Sequence, residues 1–304
     1  MVADAFDPVA FYDGLVAHGL VIPTGVQGGW GRGPVFEDIL NRFDAHVMRG
    51  AAGDGATELT FPPIIARSMI EKLGYLDNFP QLVGSIHSFF GKEAQARELS
   101  QRVHDGQRWE DLLDITEAML IPAACYPVYP IFSGLLPEGG RLVTVKNWCY
   151  RHEPSTEPTR LQSFRMREFI RVGRPDEVEA WRDAWLERGL GILRGLGLAV
   201  QSDVANDPFF GRAGKMMATS QREQRLKFEI VIPVISAERP TAICSFNWHQ
   251  EHFTGLFGIR AAGEQVAHTA CLGFGLERVT LALIKTHGFD PGTWPTEVRQ
   301  LLWP

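Results

Sequence analysis

Six residues near the C-terminus, Gly273-Phe-Gly275-Leu-Glu-Arg278, stand where a strand-like run gives way to a helical one. Glycines there let the backbone come close to a ligand, and the arginine that follows can clamp a phosphate through two parallel N–H donors. The same spacing suits a helix N-terminus packed tightly on a sheet, so this segment alone decides nothing. A second set lies upstream, where Arg151-His-Glu153 ends one strand-like run and Arg160-Leu-Gln-Ser-Phe164-Arg-Met-Arg-Glu168 begins another. Alternate strand residues share a face, which groups Arg151 with Glu153 and Phe164 with Glu168. A guanidinium for a phosphate, a carboxylate for an amino edge and a ring for stacking together suit a nucleoside triphosphate. Taken by itself, the same hairpin reads as an exposed one with solvated charges.

Groups of this kind need a rigid surface, and the apolar pattern supplies one. LVTVKNWCYRHE and SFRMREFIRVG read as two strands joined by the polar loop PSTEPTRLQ, and LKFEIVIPVI and TAICSFNW as two more, rich in β-branched and aromatic residues. HTACLGFGLERVTLALIKTHG runs from strand through glycines into helix. Phe36, Ile39, Leu40, Phe43 and Val47 recur at helical spacing over 35–49, and the short strand ELTFPP after it stops at Pro62 and Pro63. Val178, Trp181, Trp185, Ile192 and Leu196 mark one face of a helix over 175–196. From 64 to 119 the pattern is helical and amphipathic, punctuated by Gly74, Pro80, Gly84 and Gly91, which predicts an inserted helical layer. The expected class is α+β, an antiparallel sheet flanked by helices within a single domain over 1–304.

With 304 residues, 45% hydrophobic and 22% charged, the chain has ample material for a core, which excludes disorder and fibre. No run reaches the ~18 apolar residues of a membrane span, and the acidic start is unlike a secretory signal, so a cytoplasmic location with no membrane partner is expected. A net charge of −6 disfavours a broad grip on nucleic acid and leaves room for a local basic face. The segment GRAGKMMATSQREQRLK, 211–227, is that face: Arg212, Lys215, Arg222, Arg225 and Lys227 stand against the single acid Glu223. A solvated helix surface would look the same. Cys125, Cys149, Cys244 and Cys271 form no CxxC pair, which argues against a redox motif or a zinc finger and reads most simply as buried small hydrophobes.

An RxE segment, a loop, a strand bearing phenylalanine and a downstream GxGxxR that opens a helix together resemble motifs 2 and 3 of the class II aminoacyl-tRNA synthetases. The helix 35–49 with its strand and prolines is similar to their degenerate motif 1. Lys227-Phe-Glu229 and Cys244-Ser-Phe-Asn247 fall where the seryl-tRNA synthetase catalytic core has its lysine-aromatic-acid and serine-asparagine segments. Two departures narrow the likeness. About 34 residues precede the motif 1 helix, where seryl enzymes carry a long tRNA-gripping coiled coil. Cys125, in IPAACYP, and Cys271, just before motif 3, match a Cys/Glu/Cys zinc site of the methanogenic seryl-tRNA synthetases. That site recurs in the amino acid:[carrier protein] ligases, which the chain resembles along nearly its whole length.

The resemblance implies a class II synthetase-like catalytic core without a tRNA-binding arm. It implies ATP-dependent activation of a small amino acid, glycine or alanine, and transfer to the phosphopantetheine thiol of a small acidic carrier protein. Carried onto this sequence, Arg151 would hold the α-phosphate of ATP and Arg278 the γ-phosphate, the two catalytic arginines. Phe164 would stack on adenine, Glu153 would take its amino group, and Arg160 would help with the triphosphate. Lys227 and Asn247 would face the reacting carboxylate, and Trp248 or Phe246 would keep the pocket small. Cys125, Glu168 and Cys271 would bind one Zn²⁺ per chain and leave a position for the α-amino group, with His249, His252 and His268 as rival ligands. Seryl enzymes have a Mg²⁺-binding glutamate near position 241, where this chain has Thr241, so Glu229 is the candidate to compensate. Arg212, Lys215, Arg222 and Arg225 would dock the carrier, and motif 1 would pair a homodimer. A truncated synthetase that charges tRNA and a non-catalytic paralogue are the rival readings; retention of both Arg151 and Arg278 argues against the second.

Overall fold

Alternating apolar residues build a seven-stranded sheet in the computed structural model, which describes residues 7–304 apart from the side chains of 212 and 213. Its strands are β1 (Thr57–Leu59), β2 (Arg141–Tyr150), β3 (Ser163–Gly173), β4 (Gln201–Val204), β5 (Lys227–Ile232), β6 (Thr241–Gln250) and β7 (His268–Gly275). They lie in the order β4-β5-β6-β7-β3-β2-β1, all antiparallel to their neighbours except β1 beside β2. Flanking it are α1 (Pro34–Gly50), α2 (Pro175–Gly195), α3 (Gly211–Glu223), α4 (His252–Phe257) and α5 (Leu276–His287). The elements expected at 35–49, 175–196 and across the hairpins are all present, and no helix of the described residues is long and apolar enough to cross a membrane.

The stripe of α1, from Phe36 to Val47, is fully buried, and Pro34 starts the helix where its missing N–H costs nothing. On α2, Trp185 stacks on Phe169 of β3 with centroids 4.9 Å apart and donates its indole N–H to Asp54 at 2.9 Å. A Cβ on Gly189 would sit 2.9 Å from the Phe246 ring, so glycine there lets α2 lie close on β6.

Register aligns the chemistry. Lys227 pairs with Asn247 and Asn247 with Cys271 in one row across the sheet; Glu229, Ser245, Gly273 and Glu168 form the next. A Cβ on Gly273 would meet the Met166 methyl at 2.5 Å and Glu168 Cγ at 3.2 Å, so this glycine is required for Glu168 to lie where it does.

The block 64–119 departs from the expected helical layer. It holds helices Arg67–Lys72, Tyr75–Asn78 and Glu93–His104, but also a three-stranded sheet of Ile64–Ala66, Asp114–Leu120 and Ser85–Ser88. Strands this short leave too little alternation to distinguish period two from a helical face, and tertiary pairing decides.

Candidate active site

A cavity of about 490 Å³ opens over β3, β5, β6 and β7. Arg151, Glu153, Phe164, Glu168, Lys227, Glu229, Asn247, Cys125, Cys271 and Arg278 all line it, so residues from distant parts of the chain meet in one space. Arg160 stands at the rim, exposed on the β2–β3 loop with a nitrogen 3.8 Å from Glu153. Arg151 and Glu153 lie just past the end of β2, and Arg151 is fixed by donating Nε–H to Pro122 O at 3.1 Å.

Three cations gather in the cavity. The Arg151 guanidinium carbon lies 5.5 Å from the Phe164 ring centre. Arg278, at the start of α5, donates to Thr159 O at 2.8 Å and Ala242 O at 3.0 Å, which aims the fork from the glycine-rich junction. Burial first, and then the charge of Arg151, lower its pKa from the ordinary arginine value. Lys227 Nζ meets Asp207 Oδ1 at 2.5 Å and Glu229 Oε1 at 3.2 Å. Burial works to raise the Asp207 carboxyl, but Lys227, by charge and hydrogen bond, and Gln221 outweigh it and bring it down to about 2. Asp207 carried no sequence signal; it sits in an irregular stretch between β4 and α3 outside every motif.

Cys125, Glu168 and Cys271, lining the same cavity, each offer a ligand atom within 4.8 Å of the others, all three buried. The backbone N–H of Ala124 donates to Glu168 Oε1 at 3.0 Å, whereas Oε2 is buried with no hydrogen-bond partner among the described residues. Burial first, and then the neighbouring Cys271, push the Glu168 carboxyl up to about 7. Cys271 is held well below the ordinary thiol range, first by the hydrogen bond from Cys125 and then by His249; Cys125 is correspondingly pushed up. Asn247 Nδ2 donates to Cys271 Sγ at 3.6 Å, and His249 Nε2 lies 3.6 Å from the same sulfur. Two sulfurs and a carboxylate with an orphaned oxygen fit a borderline-soft, four-coordinate ion with one position left for a non-protein ligand. Among the rivals, His249 neighbours the cluster, His252 is exposed at the cavity edge, and His268 sits against Trp248 at 5.5 Å.

Two expectations about the walls need correction or detail. Phe246 does not floor the pocket: strand alternation turns Ser245, Asn247 and His249 to the cavity and sends Phe246 into the core against α2. Trp248 does line the cavity, at the irregularity in the β6–β7 register. Thr241 is buried at the start of β6 opposite Ile232. Lys215, Arg222 and Arg225 are exposed, Lys215 and Arg222 on α3 and Arg225 just beyond it, while the Arg212 side chain falls outside the described residues.

No protein-family model matches the chain. Amino acid–[acyl-carrier-protein] ligase 1 of Bradyrhizobium diazoefficiens is 44% identical over 289 residues, which are 94% of this chain and 88% of that protein. Ligase 2 of the same organism is 42% identical over 302 residues, 99% of this chain and 90% of that one. The chain belongs to the amino acid–[acyl-carrier-protein] ligases. Among solved structures, the M. kandleri SerRS in a complex with A. aeolicus tRNASec superposes with a TM-score of 0.81 at 20% identity, over 96% of this ligase and 60% of that longer chain. The ligase therefore has the fold of a class II aminoacyl-tRNA synthetase catalytic core, as its motifs implied.

Proposed function

We propose that this ligase activates glycine or alanine with ATP and passes the aminoacyl group to the phosphopantetheine thiol of an acidic carrier protein. The observation that carries the reading is one cavity lined both by Arg151, Arg278 and Lys227, suited to phosphates, and by a buried Cys125/Glu168/Cys271 cluster.

In the first step a carboxylate oxygen of the amino acid attacks the α-phosphorus of ATP. The bond from that phosphorus to the bridging oxygen breaks, and pyrophosphate leaves. Arg151 and Arg278 meet the charge that develops on the phosphates, so the work is positioning and electrostatic stabilisation without a protein nucleophile. Phe164 stacks on adenine, Glu153 accepts a hydrogen bond from its amino group, and Arg160 reaches the triphosphate from the rim. Lys227 and Asn247 face the reacting carboxylate. Cys125, Glu168 and Cys271 would hold one Zn²⁺, whose chemistry when bound is to offer an open position to a neutral α-amino group. Glu229 is the carboxylate best placed to help a triphosphate-bound Mg²⁺, Thr241 having none to offer. In the second step the carrier's thiol loses its proton, sulfur attacks the acyl carbon, and AMP leaves as the thioester forms.

Lys215, Arg222 and Arg225, with Arg212, offer the carrier a local basic surface on a chain whose net charge of −6 would otherwise repel it. The acting species is a cytoplasmic homodimer paired through α1, with no tRNA partner. Pyrophosphate exchange over all amino acids, followed by incubation with a labelled amino acid and either tRNA or a pantetheinylated carrier, tests the reading. Exchange with glycine or alanine and label on the carrier alone are expected; label on tRNA would overturn it.

A further inference from the structure

The roof of the cavity is a segment that the activation chemistry leaves unused. Asp207, Pro208, Phe209, Met217 and Gln221, from the residues before α3 and from α3 itself, all line the space. One carboxylate ties this roof to the floor. Asp207 Oδ1 takes Lys227 Nζ at 2.5 Å, while Oδ2 accepts from Gln221 Nε2 at 2.9 Å and the Asp207 N–H donates to Gln221 Oε1 at 2.7 Å. Apart from a long Arg222–Asn206 bond at 3.4 Å, the segment is elsewhere held by neutral groups: Phe210 N–H to Asn78 O at 2.9 Å, Gln81 Nε2 to Pro208 O at 2.9 Å, and Phe209 stacked on Phe79 at 5.1 Å. The reciprocal bonds with Gln221 make Asp207 move with α3 or not at all.

We propose that Asp207 is a positioning residue of the activation site, holding Lys227 from one side and held by Gln221 from the other, so that α3 is coupled to substrate occupancy. The inference rests on the reading of the cavity as an ATP site. The reacting carboxylate and the α-phosphate of ATP beside it compete with Asp207 for Lys227, and like charges repel as they arrive. Asp207 then yields part of its hold and loads α3 through Gln221. A helix of this length is marginal alone, and α3 leaves Met216 73% and Met217 43% exposed, so a small change at Asp207 suffices to shift it. The charged partner stays charged across the working range, because Asp207 titrates near 2.

The test uses the full chain. Removal of one charge-assisted bond predicts that Asp207→Asn lowers kcat of ATP–pyrophosphate exchange about tenfold while KM for ATP stays level or falls. Gln221→Ala should lower it about threefold with the same pattern, and the double variant should be no worse than Asp207→Asn alone. A non-hydrolysable ATP analogue should speed amide exchange across 211–223 in the wild type and not in Asp207→Asn. A raised KM with unchanged kcat, additive losses, or no response of 211–223 to the bound analogue would each overturn the coupling. If Asp207→Asn does not fold, Gln221→Ala, which leaves the Asp207–Lys227 pair in place, carries the same amide-exchange comparison. A wild type that fails to bind the analogue sinks the ATP-site reading instead, so the two failures are distinguishable.

Discussion

Strand β3 carries charge on both faces, and the two faces are finished differently. Toward α1, Arg165 is gripped by Glu37 at 2.6 and 2.8 Å and by Glu277 at 2.9 Å. Arg167 forks onto Asp44 at 2.7 and 3.0 Å and reaches Glu58 at 2.8 Å. Toward the cavity, Glu168 keeps a buried oxygen with no hydrogen-bond partner among the described residues, and the sulfurs of Cys125 and Cys271 lie within 4.8 Å of the carboxylate. A buried charge whose donors and acceptors are all used holds the fold; one left incomplete needs something from outside the chain to complete it. The junction into α5 holds adjacent residues with different anchors: Glu277 completes Arg165, and Arg278 lines the cavity anchored on the Thr159 and Ala242 carbonyls.

The sharpest break is on the packed face. Arg167→Met leaves buried Asp44 with Lys146 but without its fork and should cost about 2–3 kcal/mol of stability, seen as a lower denaturation midpoint. Activity per folded molecule should barely move. On the cavity face the outcome inverts: Arg151→Ala should reduce pyrophosphate exchange about 10²–10³-fold with the midpoint nearly unchanged. If both variants lose stability equally, the distinction between the faces is wrong.

Glu168 gives a pH test with a definite sign. Its carboxyl is raised to about 7 from an ordinary 4.5. Its contribution to the metal-free protein is therefore complete below about 4.5 and lost as pH rises through 7, a swing on the order of 3 kcal/mol. The Cys271 thiol, held low, pulls the other way, so the test is a difference: in chelator-treated protein the melting temperature of wild type relative to Glu168→Gln should fall from pH 5 to pH 8. A bound metal needs the deprotonated ligand, so the gain in melting temperature on adding Zn²⁺ should grow with pH. Cys271→Ala should abolish that gain and lower bound metal from about one equivalent per chain to near none.

The difference between the faces also explains what could be read in advance. The β2–β3 hairpin, the α1 stripe and the α2 stripe are local patterns, and their periods and breakers appear in a short window of sequence. The Arg151, Phe164 and Arg278 positions were legible because motif spacing carries them. Cys125, Glu168 and Cys271 lie far apart in sequence and have no metal-ligand spacing; only the family resemblance grouped them, the pairing of β3 with β7 sets Glu168 near Cys271, and the Ala124 N–H bond to Glu168 holds the Cys125 turn beside them. Phe246 was misplaced because which face a strand residue takes depends on its register with the neighbouring strand. Asp207 and Gln221 were invisible because their meeting depends on where a loop and a helix fold back over the cavity.

The smallest effect tests the surface that neither face of β3 supplies. Lys215, Arg222 and Arg225 are solvated charges outside the cavity, with Arg222 making one long bond to Asn206 at 3.4 Å. Rim charges act mainly on association rate and salt dependence. Reversing Arg222 and Arg225 to Glu should slow thioester formation on the carrier severalfold at low salt, less at high salt, and leave adenylate formation intact. Equal loss of both half-reactions would mean that the change had reached the cavity through Asn206 and Asp207. Loss of neither would place the carrier on another surface.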